Sequence, residues 1–329
     1  MEKVRWGVLS TAKIGLNAVI PAMQRSQCCD MAAIASRDGA KAAEAAQKMG
    51  MPKSYGSYEE LLADKDIQAV YNPLPNHLHV PWTIKCLEAG KHVLCEKPIG
   101  VTLDETIQLL ETMKRFPKLK VMEAFMYRFH PQWDLIRSHI NRRTVGDITW
   151  IQSSFTYHNV NPNDIRNKLE YGGGGLLDIG CYCISVSRFL FGAEPKRVFG
   201  EIDSDPETGV DLLTSGILDF GGSRATFTCS TRLERFQRAE LFGTKGKIEI
   251  DTPYNPPGDL SPLITIRKGT DRQELHADAI DQYTLQGDAF SQAILKDTPV
   301  PTPIDDALAN MKVIDGIFRS ARGKQWIDL

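Results

Sequence analysis

Val4-Arg5-Trp6-Gly7-Val8-Leu9-Ser10-Thr11-Ala12-Lys13-Ile14-Gly15 is an apolar run, a turn of small residues and the start of a stretch whose apolar positions recur three and four apart through residue 25. A strand feeding straight into a helix is the first half of a βαβ unit. The unit repeats along the chain. Strand-like runs recur at residues 31–35, 69–71 and 92–95 and again from Val121, with helical patterns at 40–49 and 81–89 between them. Ser57-x-x-Glu60 and Thr102-x-x-Glu105 have capping-box spacing and open two further helices. Alternating strands and helices with short connections predict a parallel sheet covered on both faces: an α/β, doubly wound (Rossmann) domain over residues 1–125.

Beyond Pro131 the pattern changes. A helix over 132–142 leads into a strand over 147–157, a glycine run and a helix over 176–191. Strand-like stretches at 197–202, 212–220, 223–230, 239–243 and 247–250 follow without helices between them, separated by turn signals such as Gly221-Gly222. Strands in succession predict an open, mainly antiparallel sheet. Helices over 283–295 and 305–322 close the chain, so residues 126–329 are expected to form a C-terminal α+β domain that binds substrate and mediates self-association. An open sheet presents a broad face to bury, which predicts a homodimer or homotetramer formed through it.

The totals exclude several classes. With 329 residues, 42% apolar and 24% charged, the chain is long enough for two cores. A formal net charge of −2 leaves no basic footprint for nucleic acid. No apolar run approaches the roughly 20 residues of a membrane span, and Met1-Glu2-Lys3-Val4-Arg5 has no leader character, so a cytoplasmic location and no membrane partner are expected. The seven cysteines show no zinc spacing, and His77-x-His79 would diverge on a helix, so no metal is expected.

The turn after the first strand is where a dinucleotide fingerprint places three glycines; only Gly15 stands here, with Ser10 and Ala12 small enough to let a phosphate close. Ser10, Thr11, Ala12, Lys13 and Ile14 are therefore cofactor candidates. At the end of the second strand an acidic residue favours NAD, but this chain has Ser36 and Arg37, which suit a 2′-phosphate and favour NADP over NAD. Asp38 is the competing acceptor, if it turns toward a ribose.

Leu74-Pro75-Asn76-His77-Leu78-His79 follows the third strand, and Gly90-Lys91-His92-Val93-Leu94-Cys95-Glu96-Lys97-Pro98 spans the fourth. These, with Glu123-Ala124-Phe125-Met126-Tyr127-Arg128 and Gly174-Gly175-Leu176-Leu177-Asp178-Ile179-Gly180-Cys181-Tyr182, resemble the family of glucose–fructose oxidoreductase, inositol dehydrogenase and rhizopine-catabolism oxidoreductases. Asp164-Ile165-Arg166-Asn167 is similar to its aldose (D-xylose) 1-dehydrogenase and dimeric dihydrodiol dehydrogenase branch. The resemblance implies nicotinamide in the first domain, substrate on the open sheet, and catalytic roles for Lys97, Asp178 and Tyr182. Many relatives carry histidine where this chain has Tyr182, which weakens an inositol assignment. Leu74, Pro75, Asn76, His79, Glu96, Lys97 and Arg128 are expected near the cofactor, although Asn76 and His79 equally suit holding their loop together. Tyr157, Arg166, Asp178, Tyr182 and Lys97 are expected at the substrate, and His130 and His158 are further candidates for the pocket wall.

The chemistry agrees. An ordinary tyrosine, with pKa about 10, is too weak a base at neutral pH, and an ammonium within about 4–6 Å favours its phenolate. Asp178 and Tyr182 are four apart and share a helix face. The expected reaction is NADP-dependent oxidation of a pyranose aldose such as D-xylose or D-glucose at C1 to the lactone. The alternatives are reduction of a keto-sugar of the 1,5-anhydrofructose type, oxidation of a trans-dihydrodiol, or an NADP-binding sensor without turnover. Gly172-Gly173-Gly174-Gly175 lacks a following Lys-Ser/Thr and is expected to let the backbone pass close to substrate and cofactor.

Overall fold

The computed structural model describes residues 2–329, and the chain divides into two compact units. The first runs through Phe129 and takes in Asp281–Leu308; the second comprises His130–Ile280 and Ala309–Leu329.

The first unit is built on strands β1 (Val4–Leu9), β2 (Cys29–Ala35), β3 (Lys53–Tyr55), β4 (Ala69–Asn72), β5 (His92–Cys95) and β6 (Val121–Glu123), all parallel, in the order β3-β2-β1-β4-β5-β6. Both faces of the central strands are covered: Val4, Trp6, Val8 and Leu9 have no exposure. That is why β1 reads as a continuous apolar run. The sequence pattern anticipates five of the six strands. The sixth, β3, is a three-residue polar edge strand, and an edge that is half exposed needs no apolar period.

Strand order reverses between β1 and β4, the switch point at which such sheets bind ligands. The helix expected over 14–25 is a π-turn (Gly15–Val19) followed by an α-helix (Ile20–Gln24) with Pro21 in its first turn. Proline has no N–H and crowds the preceding turn, which accounts for the widened start. Both caps form: Ser57 Oγ accepts from Glu60 N (3.1 Å) and Thr102 Oγ1 from Glu105 N (3.2 Å), while the two glutamates accept from Gly56 N and Val101 N, one residue ahead of the caps. The helix Gln282–Leu295, which the sequence pattern assigns to residues 126–329, packs in this unit. Phe290 lies against Trp6 (5.6 Å between ring centres), and Trp6 Nε1 donates to Ser291 Oγ at 3.1 Å.

The second unit holds a nine-stranded sheet of β7 (Ile148–His158), β8 (Arg197–Ser204), β9 (Asp211–Asp219), β10 (Arg224–Ser230), β11 (Arg232–Gly243), β12 (Gly246–Ile250), β13 (Leu263–Lys268), β14 (Asp271–His276) and β15 (Ile327–Asp328). Their order is β14-β13-β12-β11-β7-β10-β9-β8-β15, antiparallel except for the β7–β10 pair. The hairpin β13–β14 and the short β15 were not anticipated; β14 is exposed along most of its length and shows no apolar alternation.

One face of this sheet carries Ile151, Ser153 and Phe155, buried beneath the helix Cys181–Phe191. The other presents Gln152, Ser154, Thr226 and Thr228 with the stacked pair Trp150–Phe242 (4.2 Å). Leu169–Phe191 is long and apolar enough to cross a membrane by length and composition, which the sequence reading had not noted. It lies in the core of the unit, with 78% of its apolar window buried.

Candidate active site

The residues singled out for the cofactor all follow the carboxyl ends of parallel strands. Ser10–Ile14 follow β1, Ser36 and Arg37 follow β2, Leu74–Asn76 and His79 follow β4, Glu96 and Lys97 follow β5, and Arg128 follows β6. Ser10 adopts φ +71°, a left-handed conformation that side chains disfavour and glycine accepts freely, at the first glycine position of the fingerprint. Its N–H donates to Ala35 O (2.8 Å) and its Oγ accepts from Ala12 N (3.2 Å), so a local hydrogen bond offsets the strain.

Asp38 does not turn toward a ribose. Its Oδ1 caps the helix Gly39–Met49, accepting from Ala40 N (3.1 Å) and Lys41 N (3.2 Å). The loop after β2 thus carries Arg37, exposed and hydrogen-bonded to Tyr58, beside a buried Ser36 whose hydroxyl accepts from Asp38 N (3.2 Å), with its carboxylate committed elsewhere. A sharp, glycine-like turn at the switch point together with this loop fits a dinucleotide carrying a 2′-phosphate.

Lys97 is half-buried on a turn whose backbone is held by side chains, and the Lys97–Pro98 peptide is cis. Glu96 Oε2 accepts from Lys97 N (3.3 Å) while its Oε1 accepts from Tyr71 OH (2.6 Å). Glu123 Oε1 accepts from Ile99 N (2.7 Å). His79 is 1% exposed, and its ring nitrogens face Pro98 O and Leu74 O, each at 2.7 Å. Both ring edges face backbone, so His79 holds its loop together, one of the two roles expected of it. Arg128 is likewise engaged within its unit: it forms a 2.8 Å ion pair with Asp306 and its Nε lies 3.4 Å from Tyr127 OH. This mostly buried pair holds the guanidinium within its unit.

In the second unit Asp178, Tyr157 and Arg166 meet. Asp178 Oδ2 accepts from Tyr157 OH (2.5 Å) and from Arg166 Nε (3.0 Å), and Arg166 Nη1 also reaches Asp164 (3.4 Å). Burial and the Asp178 charge push the Tyr157 phenol well above its ordinary value, so it serves as a neutral donor. Tyr182 packs against the rings of Phe155 (5.6 Å) and Tyr254 (5.5 Å). Phe155 and Tyr157 alternate onto one face of β7, spaced roughly 6.6 Å; four residues of helix advance about 6 Å. Asp178 and Tyr182 therefore lie along the same face of that strand, the juxtaposition their spacing predicts, although Asp178 sits in a π-turn (Leu176–Gly180) ahead of the α-helix.

A residue the sequence reading missed starts this helix. Asp211, the first residue of β9, accepts from Leu176 N (2.6 Å) and Thr214 Oγ1 (3.1 Å) through Oδ2. Burial pushes its carboxyl up to about 6 against those hydrogen bonds. The glycine run serves this cap. Gly174 has φ +112°, and a Cβ there would stand 1.9 Å from Asp211 Oδ1. No sequence signal ties Asp211 to the glycines, because the pairing exists only once β9 is in place. His158 is exposed, with Nδ1 3.3 Å from Arg232 O, and His130 is buried, accepting from Gln132 N (3.1 Å). Neither contacts the Asp178 cluster among the described residues. Nor do the described residues include a group of three or more His, Cys, Asp or Glu placed to hold a metal.

Comparison with known proteins follows this division. Residues 4–125 match the family model described as "Oxidoreductase family, NAD-binding Rossmann fold", and residues 133–249 match "GFO/IDH/MocA C-terminal domain". An uncharacterized oxidoreductase of Rhizobium meliloti is 43% identical, covering 99% of both chains. The D-xylose 1-dehydrogenase (NADP(+)) 2 of Haloferax volcanii is 34% identical over 98% of this chain and 99% of its own. Among solved structures, a 3-ketoreductase from Actinomadura kijaniata in complex with NADP and TDP-benzene superposes with a TM-score of 0.92 at 28% identity, covering 97% of this chain and 98% of that one.

Proposed function

The chain belongs to the GFO/IDH/MocA family of oxidoreductases, with an NAD(P)-binding Rossmann domain at its N-terminal end, and we propose that it oxidises a pyranose aldose such as D-xylose or D-glucose at C1 with NADP. The observation that carries this reading is the placement of Asp178 and Tyr182 along one face of β7, with Asp178 held by Tyr157 and Arg166. The capping role of Asp38 and the exposed Arg37 support NADP over NAD, as does the likeness to an NADP-dependent xylose dehydrogenase. In this reading residues 1–125 hold the cofactor, and residues 126–329 hold the substrate and mediate self-association through the open sheet face, in the cytoplasm.

When bound, the nicotinamide supplies the acceptor or donor of the hydride. Tyr182 takes the proton of the reacting hydroxyl and returns it in the reverse direction. The Lys97 ammonium favours its phenolate and donates to the reacting oxygen. Asp178 accepts from a neighbouring sugar hydroxyl; with Tyr157 and Arg166 donating to it, the carboxylate is fixed before substrate arrives. Reduction of a keto-sugar uses the same groups in reverse, and the likeness to a ketoreductase favours it as the second reading. A trans-dihydrodiol and a sensor without turnover are the remaining alternatives.

The test is absorbance at 340 nm with NADP⁺ or NAD⁺ and a panel of aldoses, polyols and cyclic diols, followed by NADPH with keto-sugars. NADPH formation with an aldose, reduced a thousandfold or more in Tyr182→Phe and Lys97→Met, is the expected result. Turnover that survives both substitutions would remove the mechanism, and silence in both directions with cofactor bound would leave the sensor.

A further inference from the structure

We propose that His79 is a positioning residue for Lys97: with one ring nitrogen at Pro98 O and the other at Leu74 O, it ties the lysine turn after β5 to the loop after β4 and fixes where the ammonium points. The inference rests on the reading of Lys97 as catalytic.

Three observations carry it. First, both His79 contacts are short, 2.7 Å, and both go to backbone oxygens of the segments that follow the neighbouring strands β4 and β5. Second, the ring is 1% exposed, so no solvent competes for those oxygens. Third, the other two braces of the turn hold its N–H groups: Glu96 takes Lys97 N and Glu123 takes Ile99 N, leaving the Pro98 carbonyl to His79. The turn is therefore held at two peptide units: 96–97 through the Lys97 N–H, and 98–99 through both its N–H and its carbonyl. Removing the His79 contact leaves the 98–99 unit held at its N–H alone, so it can tilt about that bond and shift the lysine with it.

The charge state sharpens the picture. Burial outweighs the two carbonyls and, with the neighbouring Lys97 and His77 charges, pushes the imidazole down to about 4. A neutral ring carries one N–H and donates to one carbonyl at a time. The second ring nitrogen then stands against the other carbonyl without donating to it, so the ring bonds one segment and packs edge-on against the other. Glutamine reaches one of the oxygens, and leucine fills the space without donating.

The experiment compares wild type, His79→Gln, His79→Leu and Lys97→Met as full-length protein, each checked for folding by circular dichroism and for NADP⁺ stoichiometry by titration. Two readouts are taken. One is competitive acylation of lysines followed by mass spectrometry, which needs no turnover. Lys97 is expected to label at least fivefold faster in His79→Leu than in wild type, with His79→Gln between them and the other lysines unchanged. The second is the pH profile of kcat with the best substrate. In the oxidation direction its acidic limb, set by the base that takes the hydroxyl proton, is expected to move up by about one pH unit in His79→Leu, with kcat down ten- to a hundredfold and the NADP⁺ Kd within threefold. A purely structural defect would lower kcat with the folded fraction and leave the profile and the labelling pattern in place; that result overturns the proposal. If Lys97→Met still turns over, the catalytic reading fails. If Lys97→Met is dead while His79→Leu keeps wild-type labelling and profile, only this inference fails.

Discussion

The lysine turn of the first unit and the catalytic helix of the second are preorganised by opposite means. Around Lys97, side chains hold backbone: Glu96, His79 and Glu123 bond to peptide atoms of residues 97–99. Around Asp178, side chains hold a side chain: Tyr157 and Arg166 bond to the carboxylate itself. The helix start is fixed separately by the Asp211 carboxylate on Leu176 N. A braced backbone tolerates variation in what the turn displays, whereas a braced carboxylate depends on the identity of every partner. The second unit should therefore be the more fragile of the two.

The sharpest test of that fragility is Gly174→Ala. The new Cβ meets Asp211 Oδ1 at 1.9 Å, and φ +112° is hostile to any side chain. Overpacking of roughly 1–3 kcal/mol and a backbone cost of roughly 1–2 kcal/mol sum to about 4 kcal/mol. Urea unfolding should register that loss, and turnover should fall with it. An alanine variant of wild-type stability would break the comparison, because it would mean the helix start is not held against Asp211.

Next in size is the pH dependence that Asp211 confers. Its folded value, about 6, lies above the ordinary 3.8, so the folded state holds this proton more tightly than the unfolded chain. The stabilisation it gives is complete below about pH 4 and is lost as pH rises through about 6, a swing of up to about 3 kcal/mol. Asp211→Asn removes the titration. The difference in melting temperature between wild type and variant should change across pH 4–6 and flatten above it. A constant difference over that range would show that the carboxylate is not buried against the helix as described.

The two sites also differ in how much of each was legible in the sequence. The Rossmann strands were readable because β1, β2, β4 and β5 are buried on both faces and leave continuous apolar runs; β3, a polar edge, left none. Lys97 was readable from its motif, and the i, i+4 spacing of Asp178 and Tyr182 from helix geometry. The partners of Asp178 were named as substrate residues, yet nothing in their spacing showed that Tyr157 and Arg166 bond to the carboxylate. Asp211 left no trace, since a lone aspartate at a strand start looks like any surface charge until β9 brings it to Gly174. For His79 the sequence suits a loop-holding role as well as the cofactor, and for Arg128 a salt bridge as well as a cofactor contact. The carbonyls of Leu74 and Pro98 engage the first within its loop, and Asp306 pairs with the second, contacts that no spacing in the sequence shows.

The smallest effect, on the other side of the comparison, is expected at Ser10. In Ser10→Gly, relief of the left-handed φ gains about 1–2 kcal/mol. Loss of the Ser10 Oγ bond to Ala12 N costs about 1 kcal/mol, and the extra freedom of glycine in the unfolded chain costs about 0.5–1 kcal/mol. The three nearly cancel, so stability should stay within about 0.5 kcal/mol of wild type, and the KM for NADP⁺ should change less than threefold. If the turn is held by its backbone, as the bond from Ser10 N to Ala35 O implies, glycine leaves it in place. A loss near 2 kcal/mol, or a tenfold rise in KM, would mean that the serine hydroxyl holds the phosphate turn. The cofactor side would then depend on side-chain identity just as the substrate side does.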